Sequence, residues 1–135
     1  MANNAVRAHL GKGWNFPVRP DSSGRLNYVG YEEDVEQSIG IILQTAHNER
    51  VLLPRFGANL PHYLFAGNSP VTHRQVEEDV RKALVAWEPR ITVERVQAYA
   101  DEQETNLMLI EIDYVVRRSN SFYNRVFPFY LNEAG

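Results

Sequence analysis

Two segments of this 135-residue chain carry apolar residues at the same helical spacing, and this limits the folds that the chain can adopt. In residues 31–46 and again in residues 72–87, apolar side chains recur at i, i+4, i+7, i+8 and i+11. That spacing places them on one face of an α-helix. The residues are Val35, Ile39, Ile42, Leu43 and Ala46 in the first segment, and Val76, Val80, Ala83, Leu84 and Trp87 in the second. Two helices with matching apolar faces are expected to cover one shared core.

The residues around these segments indicate where helices begin. Acidic residues 32–34 fit the first turn of the first helix, where the helix dipole favours negative charge. Thr72 and Gln75 have the spacing of a capping box, which predicts that the second helix begins there. Between the two, a short helix is expected over residues 59–65, with Asn59 as its N-cap.

The last third of the chain predicts a small antiparallel sheet. Residues 107–116 alternate well, so one face of the strand is apolar, formed by Met108, Ile110, Ile112, Tyr114 and Val116. Residues 91–99 predict a second strand with a bulge near Arg95, and residues 122–131 a third. Pro128 places that third strand at an edge or at a strand's end, because proline cannot donate to a ladder.

The predicted fold is therefore α+β, with two main helices and a short one packed on a small, mainly antiparallel C-terminal β-meander. Residues 1–30 contain six glycines or prolines and little periodicity, which predicts an extended arm. Residues 31–135 are expected to form one domain.

Composition and motifs argue against several classes of function. The chain has no cysteine, so disulfides and thiolate zinc sites are excluded. The net charge is −3 without a basic cluster, so we expect no nucleic-acid partner. We expect no signal peptide and no membrane span. No nucleophile elbow, phosphate loop or metal-ligand spacing is present, so we predict no catalytic residue, no metal and no cofactor.

The triplet Glu88-Pro89-Arg90 stands where the second helix ends and the first strand begins. Proline stops the helix and fixes the exit direction, so two charged side chains are held on a stiff corner. The residues alone leave two interpretations open: the charges brace the corner within the chain, or they bind another protein. The second interpretation predicts that alanine at either charged position leaves the fold intact.

Several stretches, taken in order, resemble one known family. They are GKGWNFP, VEQSIGIILQT followed by ERVLLPRFG, LVAWEPRITV, and VFPFYL. Together they resemble the small baseplate wedge protein of contractile phage tails, which has counterparts in type VI secretion baseplates and phage-tail-like injection particles. The resemblance spans residues 11–131. One departure is Asn48, where the family usually has glycine, although asparagine tolerates the same left-handed conformation.

The resemblance implies a structural role in a baseplate that is assembled in the bacterial cytoplasm. It implies that Glu88, Pro89 and Arg90 dock on neighbouring wedge proteins. It also implies that the domain is the template for the first ring of sheath subunits, through strand sharing. The expected partners are other wedge proteins, the sheath protein, and tube or hub proteins, with several copies around a sixfold axis. The residues predicted to contact the sheath at edge strands are Tyr114, Val116, Phe122, Val126, Phe127, Phe129 and Tyr130.

Three alternatives stay open at this point, and one is a small adaptor protein that is unrelated to phage tails. Some family members carry a lysozyme label, so a cell-wall hydrolase is the alternative function, although no residue pattern here supports hydrolysis. The last strand could also serve only as core, because Phe127, Phe129 and Leu131 could pack on the helices.

Overall fold

The computed structural model describes residues 25–132, which form two α-helices, one 3-10 turn and three strands. Residues 1–24 of the predicted arm lie outside this range, whereas residues 25–30 belong to a helix. The α+β prediction is confirmed. None of the helices within residues 25–132 is long and apolar enough to cross a membrane.

Helix α1, Arg25–Gln44, begins six residues earlier than predicted. The acidic residues 32–34 therefore lie in its third turn, and their assignment to the first turn is wrong. The helix continues through Gly30, which costs about 1 kcal/mol relative to alanine and is offset by packing of the residues that follow. Beyond its end, Asn48 adopts the predicted left-handed conformation with φ of 72°.

Helix α2, Pro70–Trp87, begins two residues before the predicted capping box. Pro70 occupies the first turn, where its missing N–H is not needed, and Ser69 precedes it as the N-cap residue. The capping role predicted for Thr72 and Gln75 is therefore wrong. Thr72 is buried instead.

The predicted short helix is a single 3-10 turn, Leu60–Tyr63. Asn59 precedes it but does not cap it with its side chain. Its side-chain oxygen instead accepts the backbone N–H of His47 at 2.8 Å, so Asn59 closes the preceding loop.

The sheet contains β1 (Ile91–Ala100), β2 (Leu107–Val116) and β3 (Ser121–Tyr130) in the order β1-β2-β3, with both pairs antiparallel. The β1–β2 register shifts between Val93 and Arg95, which confirms the predicted bulge. Pro128 lies in β3, an edge strand, as predicted. Strand β2 is paired on both sides.

Both helices cover one face of the sheet. The predicted helical stripes face the core, where four residues of each are at most 5% exposed: Val35, Ile39, Ile42, Leu43, Val76, Val80, Ala83 and Leu84. The apolar face of β2 meets them with Met108, Ile110, Ile112, Tyr114 and Val116. Strand β3 adds Phe127, and Leu131 follows it into the same core. The last strand is thus part of the core as well as an edge.

Candidate functional site

The corner between α2 and β1 is held by an ion pair inside the chain. The Glu88 side chain is only 2% exposed. Arg90 donates from Nε to Oε1 and from one terminal nitrogen to Oε2, both at 2.8 Å. The backbone N–H of Arg90 also donates to Oε1 at 3.2 Å. The pair is bidentate, which fixes the orientation of the guanidinium as well as its charge.

The balance of forces on Glu88 favours its charged form. Burial raises the pKa of the carboxyl group, but hydrogen bonds from Arg90 and from Ser38 of α1 lower it by more, so its pKa lies below the usual value. Arg90 therefore faces an ionised carboxylate at neutral pH. Glu88 and Arg90 therefore form an ion pair with each other within one chain.

The exposed part of the corner extends onto helix α1 and the β2–β3 turn. Arg90 contacts Asp34 at 3.4 Å, and its guanidinium lies 5.6 Å from the centroid of the Tyr31 ring. Arg118 lies 4.8 Å from the same ring. Pro89 is exposed, and the Arg90 side chain keeps 30% of its surface in solvent. A partner could thus reach Pro89, Arg90 and their neighbours, whereas Glu88 is covered. The partner role predicted for this triplet stays a prediction.

The two outer edges of the sheet differ in their free main-chain groups. Asp101 donates its N–H to the carbonyl of Leu107 at 2.9 Å, so by alternation the odd residues of β1 after the bulge bond to β2. The even residues point outward. One of them, Ala98, donates its N–H to a carboxylate oxygen of Glu77 on α2 at 2.9 Å. The edge of β1 is therefore bulged and partly capped.

Strand β3 carries five of the seven residues predicted to contact the sheath. Phe122 and Tyr130 are 64% and 54% exposed, and Val126 and Phe129 are half-buried. Phe127 points into the core, which leaves little of its side chain for a partner.

The two remaining residues, Tyr114 and Val116, do not lie at an edge. They belong to β2, whose main chain is paired on both sides, and both are buried beneath the helices. Their assignment to an edge strand is wrong, because the alternation of residues 107–116 reports which face is buried and not where the strand stands in the sheet.

A loop next to the corner presents exposed apolar side chains. In the loop of residues 47–57, Val51 and Leu52 are 93% and 90% exposed. The loop is closed by the N–H of Asn48, which donates to the carbonyl of Pro54 at 2.6 Å. At its base, the Phe56 ring lies 5.2 Å from the ring of Trp87, the residue before Glu88.

Gly57 ends this loop, and only glycine suits its position. It has φ of 105°, and a Cβ atom there would lie 2.3 Å from the carbonyl oxygen of Thr45. The end of the loop therefore packs closely against the residues that follow helix α1.

The chain is similar to known baseplate proteins. A family model described as baseplate wedge protein gp25 matches residues 29–121. The chain belongs to this baseplate wedge protein family. The match includes both helices, the corner and the first two strands of the wedge domain.

Individual relatives point the same way. Baseplate protein W of Escherichia phage P2 is 33% identical over 64 residues, which cover 47% of this chain and 56% of the relative, so the chain spans little more than half of that protein. A solved structure of a Geobacter sulfurreducens protein, provisionally named a tail lysozyme, is 42% identical with a TM-score of 0.70. The match covers 78% of this chain and 95% of that one.

Two further solved structures share the fold at low identity. A chain of the type VI secretion system baseplate complex has a TM-score of 0.61 at 16% identity, covering 78% of this chain and 98% of that one. A chain of the anti-feeding prophage baseplate has a TM-score of 0.51 at 17% identity, covering 74% and 69%.

Sequence reasoning missed three features of this wedge domain. The contact of Glu77 with Ala98 joins residues far apart in the chain and leaves no local signal. Tyr31 looks like an ordinary helix residue, although it lies beside two arginines. The exposed tip had a usable signal: Val51, Leu52 and Leu53 are consecutive apolar residues in a segment without helical or strand periodicity, bounded by Pro54.

Proposed function

We propose that this wedge-family protein docks on neighbouring baseplate proteins through its corner and templates the first ring of sheath subunits through the edge of β3. In this role it is a structural subunit of a contractile injection machine and is assembled in the bacterial cytoplasm. Several copies stand around a sixfold axis, in contact with other wedge proteins, the sheath, and tube or hub proteins.

The difference between the two sheet edges carries the sheath part of the proposal. The β1 edge is bulged and its Ala98 N–H is occupied by Glu77, so a foreign strand would have to displace a charge-assisted hydrogen bond. Among residues 25–132 the outward N–H groups of β3 have no such cap, and the only outward group of β3 held by a side chain is the Asn124 carbonyl, which accepts from the exposed Arg125 guanidinium at 3.0 Å. An open edge beside a covered one favours strand addition at β3.

The docking part of the proposal rests on the exposed surface around the corner. This surface is formed by Pro89, the exposed part of Arg90 and the aromatic ring of Tyr31. The buried carboxylate of Glu88 accepts hydrogen bonds from Arg90 and so orients its guanidinium. The loop tip at Val51 and Leu52 is braced on the corner through Phe56 and Trp87. Two nearly fully exposed aliphatic side chains side by side on a loop are typical of a surface that another protein covers.

A hydrolase is the second candidate, favoured by the provisional name of the relative from Geobacter sulfurreducens. A glycosidase needs a carboxylic acid whose pKa is raised so that it can donate a proton. Among residues 25–132, the carboxyl groups with a resolved shift all have a lowered pKa: Glu32, Glu88, Asp101 and Asp113. This trend favours the structural role. Peptidoglycan release by the purified protein that is lost on substitution of one acid would support the hydrolase.

The test uses particles from a host in which this gene is deleted and replaced by variants. We expect the deletion to abolish baseplates, and a variant with Pro89→Ala, Arg118→Gln and Tyr31→Ala, which leaves the Glu88–Arg90 pair intact, to lose incorporation although the purified variant is folded. Arg74→Gln and Lys82→Gln, at exposed positions of α2, are the matched control. Particles of normal composition with the corner variant would contradict the docking role. Sheathed tails assembled without this protein would contradict the template role.

A further inference from the structure

We infer that the β3 edge accepts a partner segment only along Phe122–Val126 and that an apolar side chain of this segment enters the pocket beside Gly40 and Phe127. This inference rests on the proposed function and specifies its geometry. The partner is an extended protein segment, and Pro128 sets the end of the pairing.

The hydrogen-bond alternation of β3 shows which of its main-chain groups are free. Leu131 donates its N–H to the carbonyl of Asn106 at 2.7 Å. The β2–β3 register continues from that pair without a shift. Residues directly opposite alternate between bonded and non-bonded pairs, so the odd residues 121–131 bond to β2. The even residues point their N–H and carbonyl groups to the open edge, where the Asn124 carbonyl accepts a hydrogen bond from the exposed Arg125 guanidinium at 3.0 Å and the N–H groups stay free.

Pro128 is an even residue, so its missing N–H faces the open edge. It lies opposite Leu109 in a non-bonded pair, which explains why the ladder between β2 and β3 tolerates proline. Outward donors are available at Phe122, Asn124 and Val126. The next position has none, and a partner strand therefore loses a ladder bond there. This gap limits the pairing to the first half of β3.

A shallow pocket lies at the end of this pairing segment. It is lined by Gly40 and Leu43 of α1 together with Ile110, Phe127 and Phe129 of the sheet. Side chains that face the helices are the odd residues of β3, so a partner residue opposite Phe127 also points toward α1. Because Gly40 has no side chain, space is left at this point between helix and sheet. The lining is mostly apolar, with Gln44 as its one polar side chain, which favours an aliphatic or aromatic side chain.

The outer face of β3 adds a second preference for the side chains of the partner segment. Phe122 is 64% exposed at the start of the pairing segment. The side-chain amide of Asn124 is bonded to Glu111 and Asp113 of β2, so it is already satisfied. A partner residue on this face therefore gains most from an apolar contact with Phe122.

A pair of proline substitutions tests where the partner pairs. Val126→Pro removes an outward donor inside the proposed segment, and Tyr130→Pro removes one beyond Pro128. Both positions are even, so neither substitution breaks a bond to β2. Each variant replaces the wild-type protein in the producing host, and electron microscopy counts tails with and without sheath. We expect Val126→Pro to reduce sheathed tails at least tenfold while baseplates still form, and Tyr130→Pro to match the wild type.

The outcomes separate this inference from the proposed function. If both variants assemble sheath normally, β3 is not the template, and the proposed function fails together with the inference. If both variants lose sheath, strand pairing stands but the limit at Pro128 is wrong. A melting temperature is recorded for each purified variant. If Val126→Pro does not fold, Gly40→Leu fills the pocket instead; sheath assembly at the wild-type level in a folded Gly40→Leu variant overturns the pocket assignment.

The chain's own N-terminal segment is the other occupant that the test must address. Amide hydrogen exchange of the free, full-length protein gives the answer. We expect the amides of Phe122, Asn124 and Val126 to exchange faster than those of Tyr123 and Arg125. Protection of these outward amides in the free protein would show that the edge is already occupied and would overturn the assignment to a partner.

Discussion

The carboxylate of Glu77 lies 2.9 Å from the main-chain nitrogen of Ala98 and accepts its N–H, so helix α2 caps the outer edge of β1. Ala98 is 3% exposed, and without Glu77 its donor would be buried and unpaired. We predict that Glu77→Ala lowers the free energy of unfolding by about 1–3 kcal/mol. Urea denaturation measures this change.

Glu78→Ala is the matched control for that prediction, because the Glu78 side chain is 61% exposed and, within residues 25–132, forms an ion pair only with the exposed Lys82. We expect it to change stability by less than about 0.5 kcal/mol. Amide exchange at Ala98 should accelerate in the Glu77 variant alone. Equal stability of the two variants would show that the Glu77 contact does not cap the strand.

A second prediction concerns the ion pair at the corner, where the burial of Glu88 changes the expectation from sequence. Arg90→Ala leaves a carboxylate that is only 2% exposed without its charged partner, and such a loss costs about 3–5 kcal/mol. Glu88→Ala leaves Arg90, which keeps 30% of its surface in solvent, and should cost less. Chemical denaturation of both variants and of the double variant gives the coupling between the two side chains.

Arg95→Ala is the control for this cycle. The Arg95 side chain is 49% exposed and pairs with Asp113 at 3.0 Å on the outer face of the sheet. Exposed pairs contribute about 0–1 kcal/mol, so this variant should be close to the wild type. A cost for Arg90→Ala no larger than that of Arg95→Ala would mean that the corner is not a folding element.

The parts of this fold that sequence could predict are those fixed by local periodicity. The spacing from Val35 to Leu43 and from Val76 to Leu84 gave two helices with buried stripes, and the phase slip near Arg95 gave the bulge. Helix starts were less predictable. Helix α2 begins at Pro70 with Ser69 as its N-cap residue, although Thr72 and the residue three positions later have the spacing of a capping box.

The candidate site was only partly predictable because its geometry depends on contacts between distant segments. The triplet at residues 88–90 marks a stiff corner in the sequence. That Glu88 is buried follows only when Ser38 and Asp34 of α1 close around the pair. In the same way, alternation in β2 identified a buried face, but strand order decides that β3 and not β2 carries the open edge.

A third prediction separates binding from folding at the loop tip. Val51→Ser and Leu52→Ser together remove apolar side chains that contact almost nothing in the monomer, since both are at least 90% exposed. We expect the free energy of unfolding to change by less than about 0.5 kcal/mol. Incorporation into baseplates, measured by mass spectrometry of purified particles, should fall at least tenfold.

Val71→Ser with Val85→Ser is the control for the loop tip. These two residues of α2 are 69% and 68% exposed, so the double variant makes a similar loss of exposed apolar surface elsewhere. It should enter baseplates normally. Incorporation of the loop variant at the wild-type level would show that no partner covers the tip.

The last prediction concerns a buried histidine that joins α2 to the start of β2. His73 is 7% exposed, and its Nε2 lies 2.6 Å from Oδ1 of Asn68. The amide nitrogen of Asn68 donates to the carbonyls of Thr105 and Leu107, both at 3.0 Å. Oδ1 must therefore accept, and Nε2 of His73 carries the proton. Burial lowers the pKa of His73, and the nearby charge of Arg74 lowers it further.

A lowered pKa means that the folded protein favours the neutral ring. As pH falls below about 6.5, the unfolded chain binds a proton at His73 that the folded protein does not, so stability falls by at most about 1.4 kcal/mol per pH unit. His73→Gln keeps a donor for Asn68 but does not titrate. We expect it to flatten the pH dependence of the free energy of unfolding between pH 5 and 6.5, measured by urea denaturation. His62→Gln, at an exposed position, should keep the wild-type slope. An unchanged slope in the His73 variant would show that another group causes the loss of stability in acid.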